Sequence, residues 1–195
     1  MTKSAYRYIS ETFQKQENTY PSSNWHLLIE LRSSPSVYRI DKPSNIARAR
    51  TLGYKAKQGY IVVRSKIRKG TMKKIRPKMG RKPANLGVTK ITPKKNLQRI
   101  AEERASKRYP NLVTLNSYYL IEDGRSKWFE VIMVDPNHPR ILSDPKINWI
   151  ARPKNKRRSP RGMTSAGKRG RGLRKKGIGA EKIRPSLQAK QNRGK

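Results

Sequence analysis

Three stretches of the chain alternate between apolar and polar residues in the manner of β-strands. Tyr60–Arg68 has apolar residues on one face and cations on half of the other, which predicts a strand between the core and a partner. Leu112–Ile121 is mostly apolar on both faces, which favours a central strand. Trp128–Val134 is its predicted partner, across a hairpin at Glu122–Ser126 with Gly124 in the positive-φ position.

Three other segments have helical patterns. One helix is predicted to begin with Thr92 as N-cap and Pro93 in the first turn, because an apolar stripe with helical spacing follows them. A second helix is expected at Ser44–Leu52, with Gly53 as its C-terminal stop, and a third at Ala5–Phe13. Together with the strands, these helices predict an α+β fold class with a core across residues 59–135.

Charge changes this picture. The 195 residues include 48 Lys and Arg against 12 Asp and Glu, a formal net charge of +36. Residues 42–101 hold 19 basic and no acidic side chains, and residues 151–195 hold 17 basic side chains and one acidic side chain, whereas residues 102–150 hold 7 of each. Such an excess opposes a compact free state, and a polyanion such as nucleic acid would relieve the repulsion.

The charge blocks suggest three parts. We expect residues 1–58 to form a helical and irregular segment that packs on the core and on RNA, and residues 59–150 to form the α+β core with a basic loop at 69–92. Residues 151–195 are predicted to be a basic C-terminal extension. The loop and the extension hold little apolar surface to offset ordering entropy, so we expect them to order only against the partner.

Several functional classes are disfavoured. The chain has no cysteine, which excludes disulfides and thiolate metal sites. Its apolar runs are too short to span a bilayer, and its first residues do not resemble a signal peptide, so we expect an intracellular protein with no membrane partner. No pattern calls for a cofactor, a metal or a small-molecule substrate.

A phosphate-loop-like motif and two histidines could suggest catalysis, but each has a simpler explanation. Gly162–Lys168 matches half of a phosphate-binding loop, but Arg169 follows where a magnesium-binding hydroxyl is needed, and a basic segment precedes it instead of a buried strand. His138 lies in a turn after a strand, and His26 has no companion ligand. A flexible RNA-contacting segment and ordinary turn residues are the preferred interpretations.

Glu102 and Glu103 are the only adjacent carboxylates on a predicted helix. They point in different directions, whereas an acid–base pair needs two carboxyl groups that converge on a cleft. We therefore expect surface pairing, with Glu103 bound to Lys107 one turn later.

The segment Gly53–Tyr60 is the most suggestive for RNA binding. Lys55 and Lys57 are suited to phosphate, Gln58 to sugar or base edges, and Tyr54 to stacking on an unpaired base. The alternative is that Tyr60 belongs to the core and the lysines form a solvated turn.

Five segments together resemble the L-fifteen-e family of ribosomal proteins, which archaea and eukaryotes share. In order along the chain they are Leu52–Tyr60, Ala101–Ala105, Leu115–Tyr118, Trp128–Pro136 and Arg161–Lys168, and the resemblance covers roughly residues 43–185. The short tail resembles the archaeal members more than the eukaryotic ones. Residues 16–41 are less basic than this family's N-terminal region, so Trp25, Leu27, Leu28 and Leu31 are expected to serve packing there.

The resemblance implies a small antiparallel sheet with packed helices, whose basic loop and tail thread into large-subunit ribosomal RNA. It implies a structural role in the cytoplasmic ribosome beside neighbouring large-subunit proteins, with no reaction and no cofactor. Two other hypotheses are a nucleic-acid packaging protein, which the neutral block 102–150 disfavours, and an RNA-modifying enzyme, for which no converging polar site is apparent.

The predicted RNA-binding residues are polar side chains of the matched segments and cations of the two basic blocks. They are Arg48, Arg50, Tyr54, Lys55, Lys57, Gln58, Arg64, Lys66, Arg68, Lys69, Lys73, Lys74, Arg76, Arg81, Lys82, Arg157, Arg158, Arg161, Thr164, Ser165, Lys168, Arg169, Arg171 and Arg174.

Overall fold

The computed structural model describes residues 3–14, 20, 22–70, 74–89, 95–174, 177, 178, 180, 183 and 191. In this part of the chain the helices are α1 Ala5–Gln14, α2 Ser23–Ser33, α3 Ile46–Thr51, α4 Leu97–Arg108, α5 Pro139–Leu142 and α6 Ser165–Gly170. The strands are β1 Val37–Ile40, β2 Tyr60–Arg68, β3 Val113–Glu122 and β4 Ser126–Val134. Short 3-10 turns lie at Pro83–Asn85, Asn148–Ala151 and Pro153–Asn155. The predicted α+β fold class and antiparallel sheet are confirmed.

The four strands form one antiparallel sheet in the order β1-β2-β4-β3. The expectation that β3 is central is therefore wrong, because β3 lies at the edge. Its register against β4 shifts between Thr114 and Asn116 and again between Tyr119 and Ile121. Such bulges break the strict alternation of faces, so a pattern that is apolar on both sides does not require neighbours on both edges.

Helix α4 covers one face of the sheet. Val131 and Met133 pack against Ala105, and Phe129 packs against Ala101. The small side chains of α4 allow a close approach to the pleated surface, which buries this face.

Helices α2 and α3 cover the opposite face. Leu28 and Leu31 of α2 pack on Trp128, as expected from the sequence, and Ala49 of α3 packs against Ile132. Helix α5 and the turn after it cover the end of β4. The core is therefore wider than the predicted range 59–135.

Because both faces are covered, the prediction that one face of β2 looks toward a partner is wrong. Arg64, on the cationic face, is only 7% exposed. Its Nε lies 3.3 Å from Glu130 Oε1, and Nη1 donates to the Tyr38 hydroxyl at 2.8 Å. Lys66 donates from Nζ to the Arg32 carbonyl at 3.1 Å. Arg64 and Lys66 therefore bind groups of the protein itself, whereas Arg68, at the end of the strand, is exposed.

Glu130 is fully buried and is the centre of this polar cluster. Besides Arg64, it accepts from the Tyr118 hydroxyl, from Ser44 Oγ at 2.6 Å and from the Ser44 amide at 3.1 Å. With Tyr38, the cluster joins all four strands. A buried charge requires such saturation by donors, because an unpaired charge in a low-dielectric interior is costly.

Two predicted helix starts need correction. Ser44 does not cap α3, since Asn45 accepts from the Arg48 amide at 2.9 Å while Ser44 binds Glu130. Helix α4 begins after Asn96, whose Oδ1 accepts from the Arg99 amide at 2.7 Å. In both helices an asparagine is the N-cap, and its side chain accepts from an unpaired amide of the first turn. The predicted cap Thr92 and its neighbour Pro93 lie outside the described residues.

Most of the remaining local predictions are confirmed, and one is wrong. The bounds of β2 and the helix at Ala5–Phe13 are confirmed, and Gly53 ends α3 with φ +99°. The hairpin between β3 and β4 is also confirmed, but Gly124 does not have a positive φ. Instead, Asp123 Oδ1 accepts from the amides of Arg125 and Ser126 at 2.8 and 2.6 Å, so an aspartate side chain shapes the turn.

No helix in the described part of the chain is long and apolar enough to cross a membrane.

Arg64→Met should destabilise the protein by about 3–5 kcal/mol, because it leaves Glu130 buried without its cation. Urea unfolding followed by circular dichroism measures the loss. Arg68→Met is the matched control on the exposed end of the same strand, and it should change the free energy of unfolding by less than about 0.5 kcal/mol. Equal losses in the two variants would contradict a special role for the Arg64–Glu130 pair.

Candidate nucleic-acid interface

The first part of the C-terminal segment packs against the core. Asn155, Ser159, Thr164 and Ala166 are buried, and α6 contacts α4 and β3. The expectation that residues 151–195 order only against RNA stays a prediction, but this part of the segment has partners within the protein core. Its cationic side chains project from a framework that the protein itself positions.

Glu102 anchors this segment to the core. The prediction that Glu102 is a surface residue is wrong, because it is fully buried in α4. The hydroxyls of Ser117 on β3 and Thr164 before α6 each lie 2.5 Å from its carboxylate oxygens. Glu103 is paired as expected, but its partners are Lys95 at 2.8 Å and Arg99 at 3.1 Å, not Lys107.

Both hydroxyls direct their protons at Glu102. Ser117 Oγ accepts from Gln98 Nε2 at 2.9 Å, and Thr164 Oγ1 accepts from the Gly167 amide at 3.2 Å. Each oxygen then has its hydroxyl proton left to donate to the carboxylate. Burial raises the pKa of Glu102, and the two hydroxyl bonds and the nearby cation of Arg158 only partly oppose the rise.

The glycines around Thr164 serve close packing. A Cβ on Gly167 would lie 2.4 Å from Gly162 Cα, and Gly162 itself has φ +68°. Thr164 caps α6 through the Gly167 amide. The phosphate-loop-like spacing of Gly162–Lys168 is thus explained by a tight turn and a short helix.

Arg158 is half-buried in the same segment. Its guanidinium lies over the Trp149 ring, 4.6 Å from the centroid, and its Nε and Nη1 are buried without a hydrogen-bond partner among the described residues. Burial lowers the pKa of Arg158, against the attraction of Glu102. A cation–π contact accounts for its place in the fold.

The predicted lysines at Gly53–Tyr60 share one carboxylate. Lys55 and Lys57 lie 3.3 and 3.2 Å from Asp144 Oδ2. The Lys146 amide, followed by the bond from Lys57, lowers the pKa of Asp144 to about 2. Asp144 therefore stays ionised at neutral pH and holds two cations side by side.

The other polar residues of this segment differ in exposure. Gln58 is exposed. Tyr54 is half-buried, with its ring edge-on to Tyr60 at 6.1 Å between centroids. Tyr54 packs beside Ala49 and Ile132, and Tyr60, the tyrosine that the alternative placed in the core, is partly buried against two core clusters.

The remaining predicted residues fall into groups by their partners. Several bind the protein through hydrogen bonds: Arg50 to Tyr6, Lys69 to Glu122, Lys74 to the Gly87 carbonyl, Arg161 to the carbonyls of Lys154 and Lys156, Arg171 to the Gly162 carbonyl, and Arg174 to Ser165. Exposed cations with no ion pair to a described carboxylate are Arg48, Arg68, Arg76, Arg81, Lys82, Arg157, Lys168 and Arg169. Lys73 lies outside the described residues.

A groove of about 860 Å³ runs along the outer edge of β3, between α3 on one side and α4 and α6 on the other. We call it the edge groove; its lining includes Arg48, Gln98, Asn116, Tyr119, Arg169 and Arg174. The arginines were predicted from charge, whereas Gln98, Asn116 and Tyr119 were missed. No pattern in the sequence indicates that these residues lie together, because they come from elements far apart in the chain.

The histidines have structural positions. His138 caps α5, where its Nδ1 accepts from the Arg140 amide at 3.2 Å, and His26 lies edge-on to Trp25. Within the described ranges, no group of three or more His, Asp or Glu side chains is arranged to hold a metal ion.

The fold and the interface define a basic α+β protein whose exposed cations outnumber the carboxylates available to them. Comparison with known proteins identifies the family within this class. The family model described as Ribosomal L15 matches residues 4–190. The large ribosomal subunit protein eL15 of Methanospirillum hungatei is 48% identical over 196 residues, which cover all of both chains. The chain belongs to the Ribosomal L15 family.

Thr164→Val should loosen the C-terminal segment, because it removes a hydroxyl donor from buried Glu102 at a cost of about 1–3 kcal/mol. Trypsin should then cleave within 152–174 at least about fivefold faster, since cleavage follows the open population. Mass spectrometry of the fragments locates the cuts. Thr89→Val, the same change at an exposed position, should leave the cleavage rate unaltered. A rate in Thr164→Val equal to this control would refute the anchoring role.

Glu102→Gln should change the pH dependence of stability. Since the folded pKa of Glu102 lies above its unfolded value, its contribution to stability is greatest below about 4.5 and falls as pH rises toward the folded pKa. The wild-type free energy of unfolding, minus that of Glu102→Gln, should therefore decrease between pH 4 and pH 7. Urea titrations at several pH values measure it, and a constant difference would show that Glu102 has an ordinary pKa.

Proposed function

We propose that this protein is a structural constituent of the large ribosomal subunit that binds ribosomal RNA through its basic surface and extensions. The family relationship supports the ribosomal assignment, and the name of the Methanospirillum relative, a large ribosomal subunit protein, supports the large subunit. Its partners would be large-subunit ribosomal RNA and neighbouring ribosomal proteins, within the cytoplasmic ribosome. The protein would carry out no reaction and use no cofactor.

One observation carries the RNA-binding part of the proposal. Nearly every described carboxylate is either buried or paired, as Glu102, Glu130 and Asp144 illustrate. The exposed cations of residues 74–82 and 154–174 thus have little internal counter-charge, and phosphates are the polyanion that can supply it.

In this proposal the sheet and α4 form a rigid platform, and the loop 69–92 and extension 151–195 reach the RNA. Contacts would go mainly to phosphates and sugars, since side chains cannot read the deep major groove of A-form RNA. Arg64 and Thr164 are left out of the proposed interface, because both are buried and bonded to core carboxylates. The exposed cations Arg76, Arg81, Lys82, Arg157 and Lys168 are its best candidates.

The first test is sedimentation of the tagged chain from lysates of cells that produce it. It should migrate with the large ribosomal subunit in sucrose gradients, at one copy per subunit, and withstand moderate salt. If about 10 phosphates are neutralised, log affinity for isolated RNA against log salt should have a slope near −7 to −9. Migration with chromatin or with light complexes, at substoichiometric amounts, would refute the ribosomal role.

A charge-matched pair of variants tests the interface itself. The triple variant Arg76→Gln, Arg81→Gln, Lys82→Gln removes three exposed cations and should wash off the subunit at lower salt. The control Arg32→Gln, Lys95→Gln, Lys127→Gln removes three cations that already pair with carboxylates. It should remain bound nearly as well as the wild type. Equal release of both would mean that only total charge matters.

A further inference from the structure

The edge groove has the chemistry of an anion site. Among the described residues that line it there is no Asp or Glu, while Arg48 enters from α3, Arg169 from α6 and Arg174 from the turn after α6. Arg48 and Arg169 have no ion pair with a described carboxylate. Three cations that converge on one concave surface attract an extended polyanion rather than an apolar ligand.

The floor of the groove is polar and partly aromatic. It follows the outer edge of β3, which has no neighbouring strand on that side among the described residues. Gln98 binds the Ser117 carbonyl at 2.9 Å there, and Asn116 lies in the lining. Tyr119 also lines the groove; the residue is 50% exposed, and its ring rests edge-on against Phe129 with 6.2 Å between the centroids. A supported aromatic ring with one exposed side is suited to stacking a base.

The size of the groove limits the occupant. A volume of about 860 Å³ lies within the range of pockets that hold small molecules, so it can enclose a few nucleotides but no double helix. Single-stranded RNA is recognised by aromatic stacking of splayed bases together with cations along the backbone. The convergent arginines favour this occupant over a protein strand added to β3, which would need carboxylates of its own to match them.

We propose that the edge groove binds a single-stranded segment of RNA, with phosphates on Arg48, Arg169 and Arg174 and a base stacked on Tyr119. This inference rests on the proposed RNA-binding function and adds to it a site and a substrate class. Helix α3 and the segment 152–174 form the two walls, so the groove depends on the buried contacts of Glu130 and Glu102 that hold those elements.

The test uses the full chain and a fluorescein-labelled ten-nucleotide oligouridylate, followed by fluorescence anisotropy at several salt concentrations. The variant Arg48→Gln, Arg169→Gln, Arg174→Gln should bind at least about tenfold more weakly. It should also flatten the salt slope by about 2, because roughly 0.7 of a counterion is released per single-strand phosphate. The control Arg39→Gln, Arg108→Gln, Arg125→Gln removes three exposed arginines outside the groove and should change affinity less than about twofold.

A second pair of variants leaves charge unchanged. Tyr119→Leu should weaken oligouridylate binding at least about fivefold through lost stacking, whereas Tyr20→Leu, at an exposed tyrosine outside the groove lining, should have no effect. Ultraviolet cross-linking of the oligouridylate to the wild type should attach uridine to the peptide that contains Tyr119. Circular dichroism confirms that each variant is folded.

Several outcomes would overturn the groove proposal. One is equal weakening by both arginine triples, and another is an unchanged affinity in the groove triple. Equal loss for a ten-base-pair RNA duplex would also overturn it, because it would show general charge attraction. These results leave the ribosomal role intact, since that role fails only if the chain does not sediment with the large subunit.

Discussion

The buried pair Arg64–Glu130 is the interaction on which the architecture depends. It lies between the two central strands, and the hydroxyls of Tyr38 and Tyr118 extend it to both edges. The Ser44 amide and hydroxyl complete it and fix the start of α3. A buried pair of this kind contributes specificity more than net stability, because only one register of the four strands brings all these partners together around Arg64 and Glu130.

A second buried carboxylate plays the same part on the other face. Glu102 holds the Ser117 hydroxyl of β3 and the Thr164 hydroxyl of the C-terminal segment. The chain has few carboxylates, and two of them are buried, where they organise the fold. The basic segments 74–82 and 154–174 contain no carboxylate of their own, while the inside remains well packed.

Local features were predictable from the sequence, whereas distant partners were not. The bounds of β2 follow from alternation, and the β3–β4 hairpin follows from its turn residues, because both depend on neighbours in the chain. Arg64 was predicted to face RNA because its partner, Glu130, lies 66 residues away. Glu102 was predicted at the surface for the same reason, since Thr164 is 62 residues distant. The arginines of the edge groove were found from charge, but their convergence required the fold.

The unpaired side of β3 has a consequence for the protein before it meets its partner. An exposed strand edge is a template on which a second copy can add a strand and start aggregation. Here Arg48, Arg169 and Arg174 flank that edge. Two copies approaching edge to edge would bring these arginines face to face, and like-charge repulsion would oppose the contact. In the proposed function, the side chains that would attract a polyanion would thus also keep newly made copies apart.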